Sequence, residues 1–335
     1  MIYVWWAALA ALIGVIVAAG RQVTRYGDIL GEKLGLSGSW VGVVLLATVT
    51  SLPELFAGVS SVAIVRQPDL AVGNIMGACV MNLVVVALIS AFHRQGQLSS
   101  RVGKEHALSA AMAIVAAALA GIGLFVSRRL LPVALFDIGL FTFLIFGFYL
   151  MAQRIIYRHE REHHVPEAEK RHGKVTLRAA AIKFGTAAVV IIAAGIVLPV
   201  VADRLAEGMG WGRSFVGSVL MSLATTSPEM AVSFSALRMG QPGMALGNLF
   251  GSCIFNQGLL FVDDVFYRGS LLADAAPTHV FTAFLLIAML GVALVELLFP
   301  SRKKMFGIIN WDAAVILGLY LLGVYILFNI GLSIG

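Results

Sequence analysis

Apolar residues along this chain gather into ten long blocks, at approximately 2–20, 39–65, 70–92, 106–126, 130–152, 179–202, 214–237, 243–267, 278–299 and 311–332. A helix of about 20 mostly apolar residues crosses a bilayer. The pattern therefore predicts an all-α integral membrane protein with ten transmembrane helices. Residues 153–178 form the only long polar stretch, and five blocks lie on each side of it. The expected organisation is a first five-helix repeat over 1–152, a linker over 153–178 and a second five-helix repeat over 179–335. Because five is odd, the second set enters the membrane in the opposite orientation, as in an inverted repeat.

Composition agrees with the pattern. With 335 residues, 59% of them hydrophobic and 13% charged, and a mean hydropathy of +0.92, the chain is no ordinary soluble domain. The net charge of +6 lies in short loops and builds no continuous basic face, so it indicates topology rather than nucleic acid. If the N-terminus is outside, inner loops hold eighteen Lys and Arg residues and outer loops hold six. The positive-inside rule then makes both termini extracytoplasmic and the linker cytoplasmic, in a multi-pass protein of the cell membrane. No Lys or Arg precedes Arg21, so the first block is expected to be a retained span rather than a signal peptide. The run His159 to His164 in the linker is read as a solvated, charge-mixed connector rather than a metal site. The lipid bilayer and cations are the expected partners, with no obligate protein partner and no cofactor implied.

One stretch occurs twice. Residues 47–82 read ATVTSLPELFAGVSSVAIVRQPDLAVGNIMGACVMN, and 222–256 read SLATTSPEMAVSFSALRMGQPGMALGNLFGSCIFN. Pro53 and Glu54 recur as Pro228 and Glu229. Gly73, Asn74, Gly77, Cys79 and Asn82 recur, with the same intervals between them, as Gly247, Asn248, Gly251, Cys253 and Asn256. Taken singly, a proline kink, a Gly-x-x-x-Gly pair or a lone buried carboxyl is ordinary in membrane helices. Finding all of them twice, in one order and at one spacing, is not. A carboxylate at bilayer depth costs on the order of 3 kcal/mol, so two of them need a compensating charge.

The neighbouring residues supply the chemistry. Thr48, Thr50 and Ser51 lead into Pro53 and Glu54, and Ser222, Thr225 and Thr226 lead into Pro228 and Glu229. Proline removes a backbone donor and displaces the carbonyl four residues earlier, which predicts freed carbonyls at Val49 and Ala224. Such unwound backbone is tolerated at membrane depth only inside protein or beside a polar cavity. Carboxylates, hydroxyls, carbonyls and the amides of Asn82 and Asn256 make a set of hard oxygen donors, suited to calcium or sodium and not to a soft metal. Glu54 and Glu229 are the charged pair in that set. Cys79 and Cys253, equivalent sites in apolar segments, are read as small packing residues and not as a disulfide.

Both segments resemble the alpha repeats of the cation/calcium exchanger superfamily, which includes prokaryotic sodium/calcium exchangers. The resemblance rests on the duplicated hydroxyl-Pro-Glu and Gly-Asn-x-x-Gly motifs of the two quoted stretches. It implies that spans 2, 3, 7 and 8 surround mid-membrane ion sites while spans 1 and 6 slide across them. It implies cation-binding residues at Thr50, Ser51, Glu54 and Asn82 in the first repeat and Thr225, Thr226, Glu229, Ser252 and Asn256 in the second. The chain departs from the family pattern at Asn256, where many sodium/calcium exchangers have aspartate. It departs again at Ala78, which lacks a ligand hydroxyl, and at Val49, which replaces a glycine.

The expected activity is secondary antiport of Ca2+ against Na+ by alternating access. Two glutamates balance one calcium or two sodium ions, which predicts fewer than three sodium ions per calcium. The rival is Ca2+/H+ antiport through the same glutamates, because a carboxyl withdrawn from water favours its protonated form. The extra acidic pattern usual in the third helix of proton-coupled exchangers is Met76-Gly77-Ala78-Cys79 here, which ranks sodium first. A cation channel ranks lower, since its selectivity rings come from symmetric subunits or re-entrant loops. An enzyme is not expected, because no catalytic residues accompany the symmetric acids. Asp263 and Asp264, beside Arg268, are read as interfacial.

Overall fold

The computed structural model describes residues 2–34, 48, 50–92, 105–129, 134–135, 138–163, 175–300, 304–305 and 309–334. Among these described residues, eight helices are long and apolar enough to cross a membrane. They are α1 (Ile2–Lys33), α3 (Pro68–Phe92), α4 (Glu105–Arg129), α5 (Leu140–His163), α6 (Leu177–Met209), α8 (Pro242–Phe266), α9 (Thr278–Leu298) and α10 (Trp311–Ile334). Two further segments are interrupted. The first comprises α2 (Leu52–Ser60) and a π-helical stretch, Ser61–Val65. The second runs from Arg213 through a π-helical stretch, Val216–Met221, and one turn, Ser222–Thr225, before α7 (Ser227–Arg238).

Lipid covers an apolar helix as well as protein does, so burial by the protein itself separates centre from rim, and α3 is the most buried. Its most apolar window is 94% buried and that of α8 is 72%, against 17% for α1 and α5. These values put α3 and α8 at the centre and the others around them. The outer helices turn large apolar side chains such as Val189, Phe284 and Leu321 away from the protein, as lipid-facing surfaces do. Helices α1 and α6 make the most extensive helix pair and lie against α2 and α7.

Small residues set the closest approaches. A Cβ at Gly77 would run into the backbone of Ser218, and one at Gly73 would come within 3.1 Å of it, so α3 meets the π stretch before α7 backbone to backbone. In the second repeat, Gly247 faces the His106 ring instead, at 3.3 Å. The counterpart of Ser218 is Val43, which lies outside the described residues.

Two expected boundaries move. Hydropathy starts the fifth block at residue 130, but α5 starts at Leu140. Before it, β1 (Ala134–Leu135) pairs antiparallel with β2 (Ile138–Gly139). A matching hairpin, β3 (Lys304–Met305) with β4 (Ile309–Asn310), precedes α10. At the other end α5 runs on to His163, so the first part of the 153–178 stretch is helical. The rest of that stretch up to residue 174, Asp137, and the start of the second block before Thr48 lie outside the described residues.

Candidate cation site

The repeated Pro-Glu pairs are helix starts. Ser51 (φ −90°, ψ 12°) and Thr226 (φ −75°, ψ −4°) precede α2 and α7, and Pro53 and Pro228 stand in the first turns. Proline suits that position because the first-turn N–H groups have no helical partner anyway. Glu54 and Glu229 therefore sit in first turns, where helix dipoles favour negative charge.

The two starts face each other. Ser51 Oγ donates to Glu229 Oε1 at 2.9 Å, and the equivalent hydroxyl, Thr226 Oγ1, donates to Glu54 Oε1 at 3.4 Å. Each half thus supplies a hydroxyl to the other half's carboxylate. Thr225 Oγ1 lies 3.1 Å from Asn74 Oδ1 on α3, tying the second break to the first half. On α8, Asn248 Nδ2 donates to Ser233 Oγ at 3.2 Å. All nine residues expected to bind cations, Thr50, Ser51, Glu54, Asn82, Thr225, Thr226, Glu229, Ser252 and Asn256, are at most 1% exposed.

Burial leaves both donors and acceptors unanswered among the described residues, the donors being Asn74 Nδ2, Asn82 Nδ2 and Asn256 Nδ2. Glu54 Oε2, Glu229 Oε2, Asn82 Oδ1, Asn256 Oδ1 and Ser252 Oγ have no hydrogen-bond partner among the described residues. A buried carboxylate with an unanswered oxygen costs several kcal/mol. The bonds from Ser51 and Thr226 bring the two carboxylates to one place, and a cation bound between them would answer both. No group of three or more His, Cys, Asp or Glu gathers among the described residues, so the acids here number two.

The family model for "Sodium/calcium exchanger protein" matches residues 3–154 and 179–332. The chain belongs to that family. Among its relatives, this exchanger is 25% identical over 249 residues to the inner membrane protein YrbG of Escherichia coli, covering 74% of this chain and 75% of that protein. Its fold is similar to that of the sodium-calcium exchanger NCX_Mj, with a TM-score of 0.62 at 16% identity, covering 97% of this chain and 99% of the other. It is also similar to the H+/Ca2+ exchanger CAX, with a TM-score of 0.71 at 13% identity, covering 98% and 86%. It is a membrane transporter of the exchanger type.

Some parts of the exchanger's site differ from expectation. The carbonyl of Ala224 is not free: Ser227 Oγ donates to it at 2.7 Å. Leu52 stands where Ser227 does in the other repeat, and Val49 lies outside the described residues. Asn74 and Asn248 are legible in the sequence as recurring residues but not as partners of the helix starts. Their equal spacing from Asn82 and Asn256 in the two repeats is the available signal. The cysteines are free and buried, each thiol against the other's backbone carbonyl (Cys79 Sγ to Cys253 O, 3.5 Å), where α3 and α8 cross.

Asp263 and Asp264, read as interfacial, are wholly buried within the protein near the end of α8. Asp264 accepts from Gly139 N (2.7 Å), Thr142 Oγ1 (2.6 Å) and Leu271 N (2.8 Å), so it pins β2, α5 and the turn after α8. Asp263 accepts from none of the described residues.

Proposed function

We propose that this chain is a secondary antiporter that exchanges Ca2+ for Na+ by alternating access. The observation that carries this reading is the pair of buried, mutually bridged helix starts whose glutamates each keep one unpartnered oxygen. Calcium neutralises both carboxylates at once, and two sodium ions do the same. Emptied of cations with both glutamates ionised, the protein would hold two negative charges in its interior, which raises its energy steeply. Movement between access states is then restricted to loaded forms, and that restriction is what couples one ion to the other.

The hydroxyls fit the same cycle. Ser51 and Thr226 donate to Glu229 and Glu54, and a hydroxyl that rotates its hydrogen away presents lone pairs to an entering ion. Thr50, Thr225, Asn82, Asn256 and Ser252 complete the oxygen set in this reading.

The architecture we infer is ten transmembrane helices, α1 to α10, in two inverted repeats of five, with both termini extracytoplasmic and the linker in the cytoplasm of a cell-membrane protein. Helices α1 and α6 are the mobile pair. Gly20 of α1 lies against Pro228, and Gly195 of α6 lies against Pro53 and Phe56. These glycines occupy equivalent positions of the two repeats, because Gly195 stands as far along the chain from Gly20 as Pro228 does from Pro53. With two acids in the site, exchange takes fewer than three sodium ions per calcium.

Calcium-45 uptake into proteoliposomes tests the reading, with sodium inside and pH equal on both sides. Uptake that requires the outward sodium gradient supports it. Uptake that appears only under a pH gradient would instead establish Ca2+/H+ antiport, for which the spare oxygen on each glutamate is the proton acceptor.

A further inference from the structure

We propose that Asp263 is a third cation-binding carboxylate, a sodium position one helix turn along α2 from Glu54 that an ion occupies on its way to or from the central pair, so that it adds none to the sodium ions carried per calcium. The proposal rests on the exchanger reading above and extends it. Asp263 is 0% exposed, and neither carboxyl oxygen has a hydrogen-bond partner among the described residues. Its neighbour Asp264 shows what the fold provides when a carboxylate is structural, namely two backbone N–H groups and a hydroxyl. Nothing of the kind is provided one residue earlier.

The carboxylate lies over Gly58, where an added Cβ would run into both of its oxygens. Gly58 follows Glu54 by four residues and shares its face of α2, about 6 Å further along. Asp263 likewise follows Asn256 by seven residues, two turns along the same face of α8. An ion that left the glutamate pair along the contact of α2 with α8 would therefore meet Asp263 next.

The second half of the protein lacks this feature. The equivalent of Gly58 is Ser233, whose hydroxyl takes the Asn248 amide, and the equivalent of Asp263 is Ile89. Only the first helix start has beside it the carboxylate and the missing side chain that admits it. At Asn256 the resemblance leads one to expect an acid, and here the acid stands two turns beyond. A lone carboxylate balances one positive charge, which suits sodium and leaves calcium underliganded.

The test is thermal unfolding of the purified full-length protein in detergent, at fixed pH with calcium chelated, while sodium chloride replaces choline chloride at constant ionic strength. Wild type should be stabilised by sodium, E54Q should retain part of that response, and D263N should need about tenfold more sodium for half-maximal stabilisation. G58A keeps the charge but fills its place with a methyl group, and should shift the sodium response in the same direction. Wild-type and D263N curves that superimpose overturn the proposal. If D263N does not fold, an unchanged response in G58A overturns it instead. The readout needs no transport: intact sodium-coupled calcium uptake with an unchanged D263N curve sinks the Asp263 site alone, and absent uptake in wild type sinks the exchanger reading alone.

Discussion

Gly20→Ala tests whether α1 must present bare backbone to the helix that carries Glu229. A Cβ at Gly20 would stand 2.8 Å from both Cβ and Cγ of Pro228. That contact is closer than carbon atoms tolerate, and a proline ring cannot rotate away from it. Overpacking of this kind costs about 1–3 kcal/mol. If α1 slides past Pro228 during transport, the cost appears in the barrier and slows exchange about five- to a hundredfold, at about 1.4 kcal/mol per factor of ten. Gly195→Ala is milder, because its Cβ would stand 3.1 Å from Phe56 Cβ and 3.3 Å from Pro53 O, contacts that shifts of a few tenths of an ångström relieve. Initial rates of calcium-45 counter-transport at saturating calcium, normalised to folded protein, are the assay. A full wild-type rate in Gly20→Ala, or a larger defect in Gly195→Ala than in Gly20→Ala, refutes the reasoning.

Glu229→Gln leaves Glu54 as the only charge at the centre, and loss of one member of a buried charged set costs about 2 kcal/mol or more, so calcium affinity by isothermal titration should fall about thirtyfold or further. Ser51→Ala removes the 2.9 Å donor to Glu229, and Thr226→Ala removes the 3.4 Å donor to Glu54. In this reading each hydroxyl turns a lone pair to the entering ion, so either substitution removes a calcium ligand and should weaken calcium binding, and unchanged or tighter binding in both variants would contradict the reading. Asn256→Asp adds a third acid to the central site and should make exchange respond to an imposed membrane voltage more strongly than wild type does, read as calcium-45 flux under potassium diffusion potentials.

Much of the central site is legible in the sequence because its chemistry is improbable where it stands. Hydroxyls, proline and glutamate inside apolar blocks, written twice, mark both helix starts and the residues beside them. The repeat also identifies Asn74 and Asn248, although only the three-dimensional arrangement shows Thr225 bonded to the first and Ser233 to the second. Hydropathy cannot locate the start of α5, because residues 130–139 are nearly as apolar as the helix that follows, and the hairpin is set by backbone pairing. Nor can the motif reveal that Ser227 occupies the Ala224 carbonyl, since that bond depends on a residue outside the matching positions.

Asp263 escapes notice for a different reason, and the reason bears on how the two halves work. Repetition directs attention to positions that agree, whereas Asp263 and Gly58 are positions where the halves disagree, facing Ile89 and Ser233 in the alignment of the repeats. At the end of an apolar block an acid is ordinarily solvated, so nothing local distinguishes Asp263 from Asp264. Burial of both, with three donors for one and none for the other, separates them. The ends of a symmetric carrier meet ions in the same way, so any difference between the two faces must come from positions where the repeats diverge. Among the described residues, the Gly58–Asp263 contact is a divergence that places a carboxyl group over the helix turn that follows a central glutamate, where, if it binds sodium as proposed, its energy depends directly on the cation beside it.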